Sequence, residues 1–320
     1  MMKWTKCLAA SAMLGSVVVF SVAPSQAQQT SVTLMSYNIH CGVPMGSDIG
    51  KFLVTPEVMD TLAETIGESD PDIVALQEVD SHFGYTQPKE RQRSSLINQA
   101  RYLAARGNYH YLYNSTINDH KSPRENRDYQ EWGTADQWTN NGAVHGESGR
   151  AVLSRWGFVG DSINVHLPRI KETESPRGYS RSEIGVPGAD GTTRTIILYA
   201  THLQHDSADS RWLQMGAILD AIEKEDKNVP VFLMGDLNHR PFVEGEKRNP
   251  IQEAIRRGMH DLAGPAEGEK EEDWLTFNAE KPRSRIDYIM CTHPVKVLSK
   301  QVVKSKASDH MPVVVSVELP

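Results

Sequence analysis

The sequence predicts an α+β fold built from two β-sheets that pack against each other. Short apolar runs bounded by turn-forming residues recur along the chain, and such runs are typical of many short strands. Segments with an apolar residue at every third or fourth position lie between some of these runs and indicate helices. No internal repeat of the kind found in solenoids or propellers is visible, so we expect one mixed domain.

The strands are predicted from the apolar runs in chain order. The first run is VTLMSYNI, residues 32–39, and the second is DIVALQ, residues 72–77. Further runs predict strands at 109–114, 151–153, 158–167, 182–186, 195–200, 229–234, 286–291, 295–303 and 312–319. Two packed sheets would give so many short strands a common core.

Three helices are predicted between these strands. Thr55 as N-cap and Pro56 at the first helical position begin the first helix, and Asp70 ends it before a proline. A second helix is expected over residues 94–106. Asp206 or Ser207 caps the third, whose apolar stripe predicts a buried face. The stripe consists of Trp212, Met215, Leu219 and Ile222.

The composition is that of a folded protein with an acidic balance. The chain has 320 residues, of which 39% are hydrophobic and 23% charged, and its formal net charge is −7. Tight non-specific binding to nucleic acid depends on many Lys and Arg contacts to phosphates. The charge balance therefore disfavours that mode of binding, although it does not exclude a nuclease.

The first 27 residues have the pattern of an export signal. Lys3 and Lys6 precede an apolar run over residues 8–22, and small residues lead up to Ala27. We expect residues 1–27 to be a signal peptide, residues 28–320 to form a single domain, and the protein to be periplasmic or secreted. An uncleaved anchor is disfavoured because the run is short, and no later run is long enough to span a bilayer.

Two cysteines, Cys41 and Cys291, remain after the predicted cleavage. They lack the paired spacing of a structural zinc site. A disulfide between them and two buried free thiols both stay open, because the sequence does not supply their separation.

Polar residues that suit metal and acid–base chemistry follow several predicted strands. Strand ends are places where a rigid scaffold displays functional side chains. Each residue alone is explained by a turn or a cap, but together they predict one polar rim whose oxygen-rich groups suit Mg²⁺ or Mn²⁺. The set consists of Asn38, Glu78, His202, Asp236, Asn238, Asp287, Asp309 and His310.

The order of these residues and their neighbours resembles the endonuclease/exonuclease/phosphatase superfamily, which has the DNase I-like fold. The resemblance covers about residues 32–319, and the ordered set is far more specific than any single motif. It implies a four-layer α/β/β/α sandwich and hydrolysis of phosphoester bonds, usually with Mg²⁺. The matching segments are SYNIH at 36–40, LQE at 76–78, THL at 201–203, GDLN at 235–238, RIDY at 285–288 and SDH at 308–310.

The resemblance also implies a role for each matched residue. Glu78 would be the principal metal ligand, helped by Asn38 and by Asp309 through water. Asp236 would orient or deprotonate the attacking water, and Asn238 would stabilise the phosphate geometry.

Two histidines would complete the site. His310 would bind a phosphate oxygen or transfer a proton, with Asp287 fixing its tautomer. His202 would contact the phosphate and protonate the leaving group, and which histidine is the main acid stays open.

Three arginines are candidates for contact with the substrate. Arg150 lies in GRAVLSR, which resembles a family strand in which many relatives have an uncharged residue at this position, so it is a substrate contact or a surface charge. Arg283 and Arg285 precede Asp287 and face the phosphate or are solvated. The polar stretch from Ser115 to Ser148 predicts a long loop that shapes substrate choice.

The function predicted from the sequence is that of an exported, metal-dependent phosphodiesterase or phosphatase that uses a Mg²⁺-activated water. A secreted nuclease, a sphingomyelinase-type phospholipase and a non-catalytic binding module on the same fold are the alternatives. The expected partner is a phosphoester in a small molecule, a lipid head group or a nucleic acid, and the protein is expected to be a monomer without a membrane span.

Overall fold

The computed structural model describes residues 30–49, 52–85, 94–95, 97–118, 144–172, 174–188 and 191–319. These residues form strands and helices that we number in chain order. The elements are β1 (Ser31–Asn38), β2 (Leu53–Val54), α1 (Pro56–Gly67), β3 (Ile73–Tyr85), β4 (Ser94–Ser95), α2 (Gln99–Gly107), β5 (His110–Asn118), β6 (Val144–Ser154), β7 (Phe158–His166), β8 (Gly178–Pro187), β9 (Thr193–His202), α3 (Ala208–Ile222), β10 (Val231–Asp236), α4 (Pro250–Arg256), β11 (His260–Asp261), β12 (Asp287–Cys291), β13 (Lys296–Val302) and β14 (Val313–Glu318).

The strands form two mixed sheets. The first has eight strands, in which β13, β14, β1 and β3 are neighbours, β3 also pairs with β6, and β6 pairs with β5. The short strands β4 and β2 extend this sheet beyond the end of β3. The second has six strands in the order β11, β12, β10, β9, β8 and β7. Parallel pairing joins β1 to β3 and β9 to β10. Strands β9 and β10 end opposite each other at His202 and Asp236, whereas β1 ends opposite Gln77 and β3 continues to Tyr85.

Successive side chains of each strand point to opposite faces of its sheet, and this alternation gives each sheet one inner and one outer packed face. Leu34 of β1 and Phe232 of β10 point into the core between the sheets, whereas Met35 and Leu233 point outward. Helices α1 and α2 cover the outer face of the first sheet, and α3 and α4 cover that of the second. These layers confirm the α+β class and the α/β/β/α sandwich.

Several predicted elements were wrong in extent. The strand predicted over residues 72–77 continues to Tyr85, so Glu78 lies within β3 rather than after it. The second helix begins at Gln99 rather than at 94, because Asn98 caps it by accepting a hydrogen bond from the Arg101 amide. The predicted loop at 115–148 is shorter, because β5 continues to Asn118 and β6 begins at Val144, where backbone pairing needs no apolar side chains. Residues 119–143 of that loop lie outside the described residues.

The structure decides between the two alternatives for the cysteines. Cys41 and Cys291 are buried and form no disulfide.

None of the helices in the described ranges is long and apolar enough to cross a membrane. The predicted signal peptide lies outside those ranges.

Gly235 permits the close approach of β9 and β10 beside the site. A Cβ atom at this position would lie 2.0 Å from the Thr201 carbonyl oxygen. We expect Gly235→Ala to reduce the free energy of unfolding by about 3 kcal/mol, because backbone must move to relieve the overlap. The matched control is Gly216→Ala on α3, where a Cβ meets nothing within 4 Å. The control should gain about 1 kcal/mol from helix propensity in the same urea titration, and equal effects of the two changes would contradict the explanation.

Candidate active site

The predicted polar residues meet where the strands of both sheets end. Asn38 ends β1, His202 ends β9 and Asp236 ends β10. Asn38 Nδ2 donates to Asp236 Oδ2 at 3.1 Å and thereby joins the two sheets. Ser308 Oγ donates to the Asn38 carbonyl at 2.7 Å and holds the last motif against the same edge. A cavity of about 400 Å³ lies at this edge, and its lining includes Glu78, His202, Asp236, Asn238, Asp309 and His310.

Glu78 reaches this cavity through a β-bulge. Leu76 and Val79 both pack against the helix-side core, although strict alternation would place residues three apart on opposite faces. The register between β3 and β6 shifts between Gln77 and Val79, and Glu78 has a φ of 52°. A bulge redirects a side chain in this way. Without it, Glu78 would point toward the helices instead of into the cavity.

Asp236 is a fully enclosed carboxylate of the site, with 1% of its surface exposed. Its Oδ1 accepts a hydrogen bond from the Asn238 amide at 2.8 Å. Burial raises the pKa of Asp236, and the Asp287 carboxylate on the paired strand raises it further, although His310 acts in the opposite direction. Asp236 is therefore a stronger base than an exposed aspartate.

His310 and Asp287 form a buried pair. Asp287 Oδ2 lies 2.9 Å from His310 Nδ1, and His310 Nε2 lies 3.6 Å from Asp236 Oδ2. Burial alone would lower the pKa of His310, but the Asp287 and Asp236 carboxylates raise it overall. This environment favours the imidazolium form with Nε2 directed at Asp236.

His202 has the opposite preference. Arg177 Nη1 donates to its Nδ1 at 2.9 Å, and the Asn238 Nδ2 lies 3.0 Å from its Nε2. Burial lowers the pKa of His202 well below its ordinary value, and the positive charges of Arg177 and His310 lower it further. The two histidines therefore differ in charge although they are neighbours of one carboxylate.

Sequence reasoning missed Arg177. This arginine lines the cavity and also donates to Gln204 and His205. It precedes β8 in a Pro-Arg-Gly segment, which has no local feature that distinguishes it from a turn. Only pairing of β8 with β9 brings it to His202.

Removing the Arg177 charge is expected to raise the pKa of His202, because a cation beside an imidazole disfavours its protonation. We expect Arg177→Gln also to reduce phosphoester turnover roughly 10²-fold through loss of a donor in the cavity. Histidine NMR titration and steady-state kinetics measure the two effects. The control is Arg248→Gln, a surface arginine paired with Asp209. An unchanged His202 titration in Arg177→Gln would contradict this assignment.

The residues that could hold a metal fit a hard divalent cation. Glu78 and Asp309 line the cavity with side chains that are 30% and 22% exposed. Neither has an ion pair with Lys or Arg among the described residues. Burial would raise the pKa of Glu78, but His40, Arg177, His310 and the Asn38 hydrogen bond lower it overall, so it is an anion. Carboxylate oxygens are the ligands that Mg²⁺ and Mn²⁺ prefer.

Two other predicted features differ in detail. Asn38 directs its amide nitrogen at Glu78 and Asp236, while its oxygen accepts from the His40 amide at 3.0 Å, so its hydrogen bonds orient the two carboxylates. Its role as a metal ligand stays a prediction. Asp236, Asp287 and His310 have potential ligand atoms within 4.8 Å of one another. Because Asp287 occupies His310 Nδ1, we interpret the group as a hydrogen-bonded Asp287–His310 pair with Asp236 3.6 Å from His310 Nε2.

The three candidate arginines have different positions. Arg150 is 2% exposed and lines the cavity, so it is not a surface charge. Arg285 does not face the site, because it is buried in ion pairs with Asp261 and Glu271. Arg283 is exposed and lies 5.2 Å from the centroid of the Phe277 ring, outside the cavity lining.

Comparison with known proteins agrees with this geometry. The model of the Endonuclease/Exonuclease/phosphatase family matches residues 35–310. The chain belongs to this family. Its members are generally phosphoester hydrolases that depend on a divalent metal. A comparison with curated proteins gives no match.

Solved structures share the fold. An endonuclease/exonuclease/phosphatase from Beutenbergia cavernae is 25% identical with a TM-score of 0.66, over 91% of this chain and 72% of that chain. The human Nocturnin catalytic domain with bound sulfate is 19% identical with a TM-score of 0.61, over 92% and 96%. The mannosyl-6-phosphatase of Bacteroides thetaiotaomicron is 16% identical with a TM-score of 0.59, over 90% and 100%.

Proposed function

We propose that this protein is an exported phosphoester hydrolase that depends on Mg²⁺ or Mn²⁺. The observation that carries the proposal is the position of Asp236, which lies within 3.6 Å of two histidines at the wall of the cavity that Glu78 and Asp309 also line. A base, a cation and a pair of metal-binding carboxylates face one small volume. Hydrolysis of a phosphoester requires these three kinds of group.

Asp236 is the general base in this proposal. Its raised pKa brings its basicity closer to that of a base working near neutral pH. The Asn38 and Asn238 hydrogen bonds hold the carboxylate, so that it accepts a proton from the attacking water without losing its orientation. Glu78 and Asp309 would hold the metal, which supplies Lewis-acid polarisation of the phosphoryl oxygen.

The two histidines have different roles in the proposed reaction. His310 carries the positive charge that stabilises the charge developing on the phosphate, and Asp287 maintains that charge. His202 is neutral, so it positions Asn238 and Arg177 around the phosphate. The leaving oxygen then receives its proton from the His310 imidazolium, while Asp236 keeps the proton taken from the attacking water.

The cavity favours a small phosphoester or a lipid head group. A volume of about 400 Å³ is that of a small-molecule site. The acidic balance of the chain also disfavours extensive backbone contacts to nucleic acid. A secreted nuclease and a sphingomyelinase-type enzyme are therefore the alternatives that the substrate test must separate.

The test is hydrolysis by residues 28–320 of bis-p-nitrophenyl phosphate and p-nitrophenyl phosphate with Mg²⁺, Mn²⁺ or EDTA, against Glu78→Ala. We expect metal-dependent cleavage that the substitution removes. Preference for the diester indicates a phosphodiesterase, and nucleic acids and phospholipids are then compared as substrates. Absence of both cleavage and metal binding would contradict the proposal and support a binding module.

Export is tested separately. The support for it is the charge and apolar pattern of residues 1–27. Expression of the full chain should give a periplasmic or secreted product that begins at Gln28. A cytoplasmic product that retains its first residues would contradict export.

A further inference from the structure

Arg150 is a buried cation for which the described residues supply no counterion. It lies on β6 with 2% of its surface exposed, and no carboxylate in the described ranges is paired with it. Its Nη2 donates to Asn164 Oδ1, whereas its buried Nε has no hydrogen-bond partner in the part of the chain that the structure describes. An unpaired buried charge is expensive and is normally compensated.

Among the described residues, the charge of Arg150 is stabilised only in part. Burial lowers the pKa of Arg150 to about 9, and the Tyr113 phenol offsets only part of that effect. A guanidinium that is so poorly compensated reduces stability unless an anion joins it. Such groups are common where a ligand supplies the missing charge.

Arg150 faces the catalytic cavity. It lines the same cavity as Asp236, and its positive charge contributes to the lowered pKa of His202. Gly178 leaves room for it, because a Cβ atom there would lie 3.0 Å from Arg150 Nη1 and 2.6 Å from the Val165 carbonyl oxygen. The absence of a side chain at Gly178 thus keeps the guanidinium at the cavity wall.

Two strand spacings separate Arg150 from Asn38, the residue that donates to Asp236. Asn38, Gln77 and Arg150 lie opposite one another on β1, β3 and β6. Strands are about 4.8 Å apart, so the backbone of Arg150 lies about 10 Å from that of Asn38. Glu78 follows Gln77 and therefore lies between the two along the sheet. The cavity-lining neighbours of Arg150 are Thr116, Ser148 and Gly149, none of which is acidic. The part of the cavity at Asp236, which we call its carboxylate end, is therefore distinct from the part at Arg150.

We propose that Arg150 binds a second anionic group of the substrate, a carboxylate or a phosphate, while the scissile phosphate lies at Asp236. The substrate class is then a phosphoester with a further negative charge a few bonds from the reacting phosphorus. The inference rests on the proposed function, since it places the phosphate at the carboxylate end. It deepens that function because Arg150 selects among phosphoesters.

The experiment compares non-hydrolysable probes that differ by one charge. Isothermal titration calorimetry with Mg²⁺ measures binding of 3-phosphonopropionate and 6-phosphonohexanoate and of their carboxylate methyl esters. We expect wild-type protein to bind at least one free acid about tenfold or more tightly than its ester, because a charge-assisted hydrogen bond supplies that factor. Arg150→Gln should bring this ratio close to one, and Arg150→Lys should retain part of it.

The control and the contrary outcomes separate the two proposals. Arg256→Gln removes a guanidinium that is 70% exposed on α4, and it should keep the wild-type ratio. Thermal unfolding checks that each variant is folded. Equal binding of acid and ester by wild-type protein, or a ratio that survives in Arg150→Gln, overturns the second anion site alone. If no probe binds and no phosphoester is hydrolysed, the proposed function fails with it.

Discussion

Replacing Glu78 with glutamine is expected to reduce metal-dependent phosphoester turnover roughly 10³-fold, since a metal ion contributes several kcal/mol of transition-state stabilisation. Glutamine preserves the shape of the side chain and its place in the β3 bulge, but removes the negative charge that fits a hard cation. Kinetics over a Mg²⁺ titration and calorimetric binding of Mn²⁺ measure the two losses.

The matched control is Glu244→Gln, which changes an exposed glutamate in the loop after β10. It should retain wild-type turnover and Mn²⁺ affinity. Glu78→Gln should also keep the wild-type unfolding midpoint to within a few degrees, because Glu78 is not part of a hydrophobic core. Full turnover in a folded Glu78→Gln protein would show that the metal, if one acts, is held elsewhere.

Substitution of His310 by glutamine is expected to cost about 10³-fold in kcat, comparable to the loss of a preorganised electrostatic group. His310 Nε2 lies 3.6 Å from Asp236 and its Nδ1 lies 2.9 Å from Asp287, so one change removes both the cation and its link to the base. The measurement is steady-state hydrolysis of the better p-nitrophenyl substrate.

The companion change Asp287→Asn tests the charge of His310 by its pH dependence. The Asp287 carboxylate raises the pKa of His310, so its removal lowers that pKa. If the imidazolium is the active form, activity falls as pH rises through the His310 pKa, and the alkaline limb should move to lower pH in Asp287→Asn. A limb that stays in place while kcat falls would assign Asp287 a structural role instead. His260→Gln, which changes an exposed histidine, is the control.

Much of the site was predictable because its residues follow recognisable apolar runs. Asp236 ends the run VFLMGD and His202 ends β9, and the carboxyl ends of these neighbouring parallel strands meet at one edge. Most predicted strands overlap observed ones, because short apolar runs between turn-forming residues are typical of buried strands. The run DIVALQ is the exception, since β3 continues past Glu78 to Tyr85. The start of helix α2 was predicted at residue 94 instead of 99, because its N-cap, Asn98, lies within a polar stretch whose pattern is also typical of a helix.

Three features of the site depend on pairing between distant strands. The bulge at Glu78 is defined only against β6, where the register shifts by one residue. Arg177 becomes a neighbour of His202 only because β8 pairs with β9. Arg285, for which the sequence left a phosphate contact and a solvated charge as alternatives, instead pairs with Asp261 and Glu271 from other elements.

The sequence by itself determined the fold class, the family and the identity of the acids and histidines at the rim, because periodicity and motif order are local properties of the chain. The tertiary structure decided the charge of each group. His202 and His310 are the same residue type, yet Arg177 and burial keep one neutral while Asp287 keeps the other charged. Desolvation and neighbouring charges act through space, so only the folded structure determines the charge of each histidine.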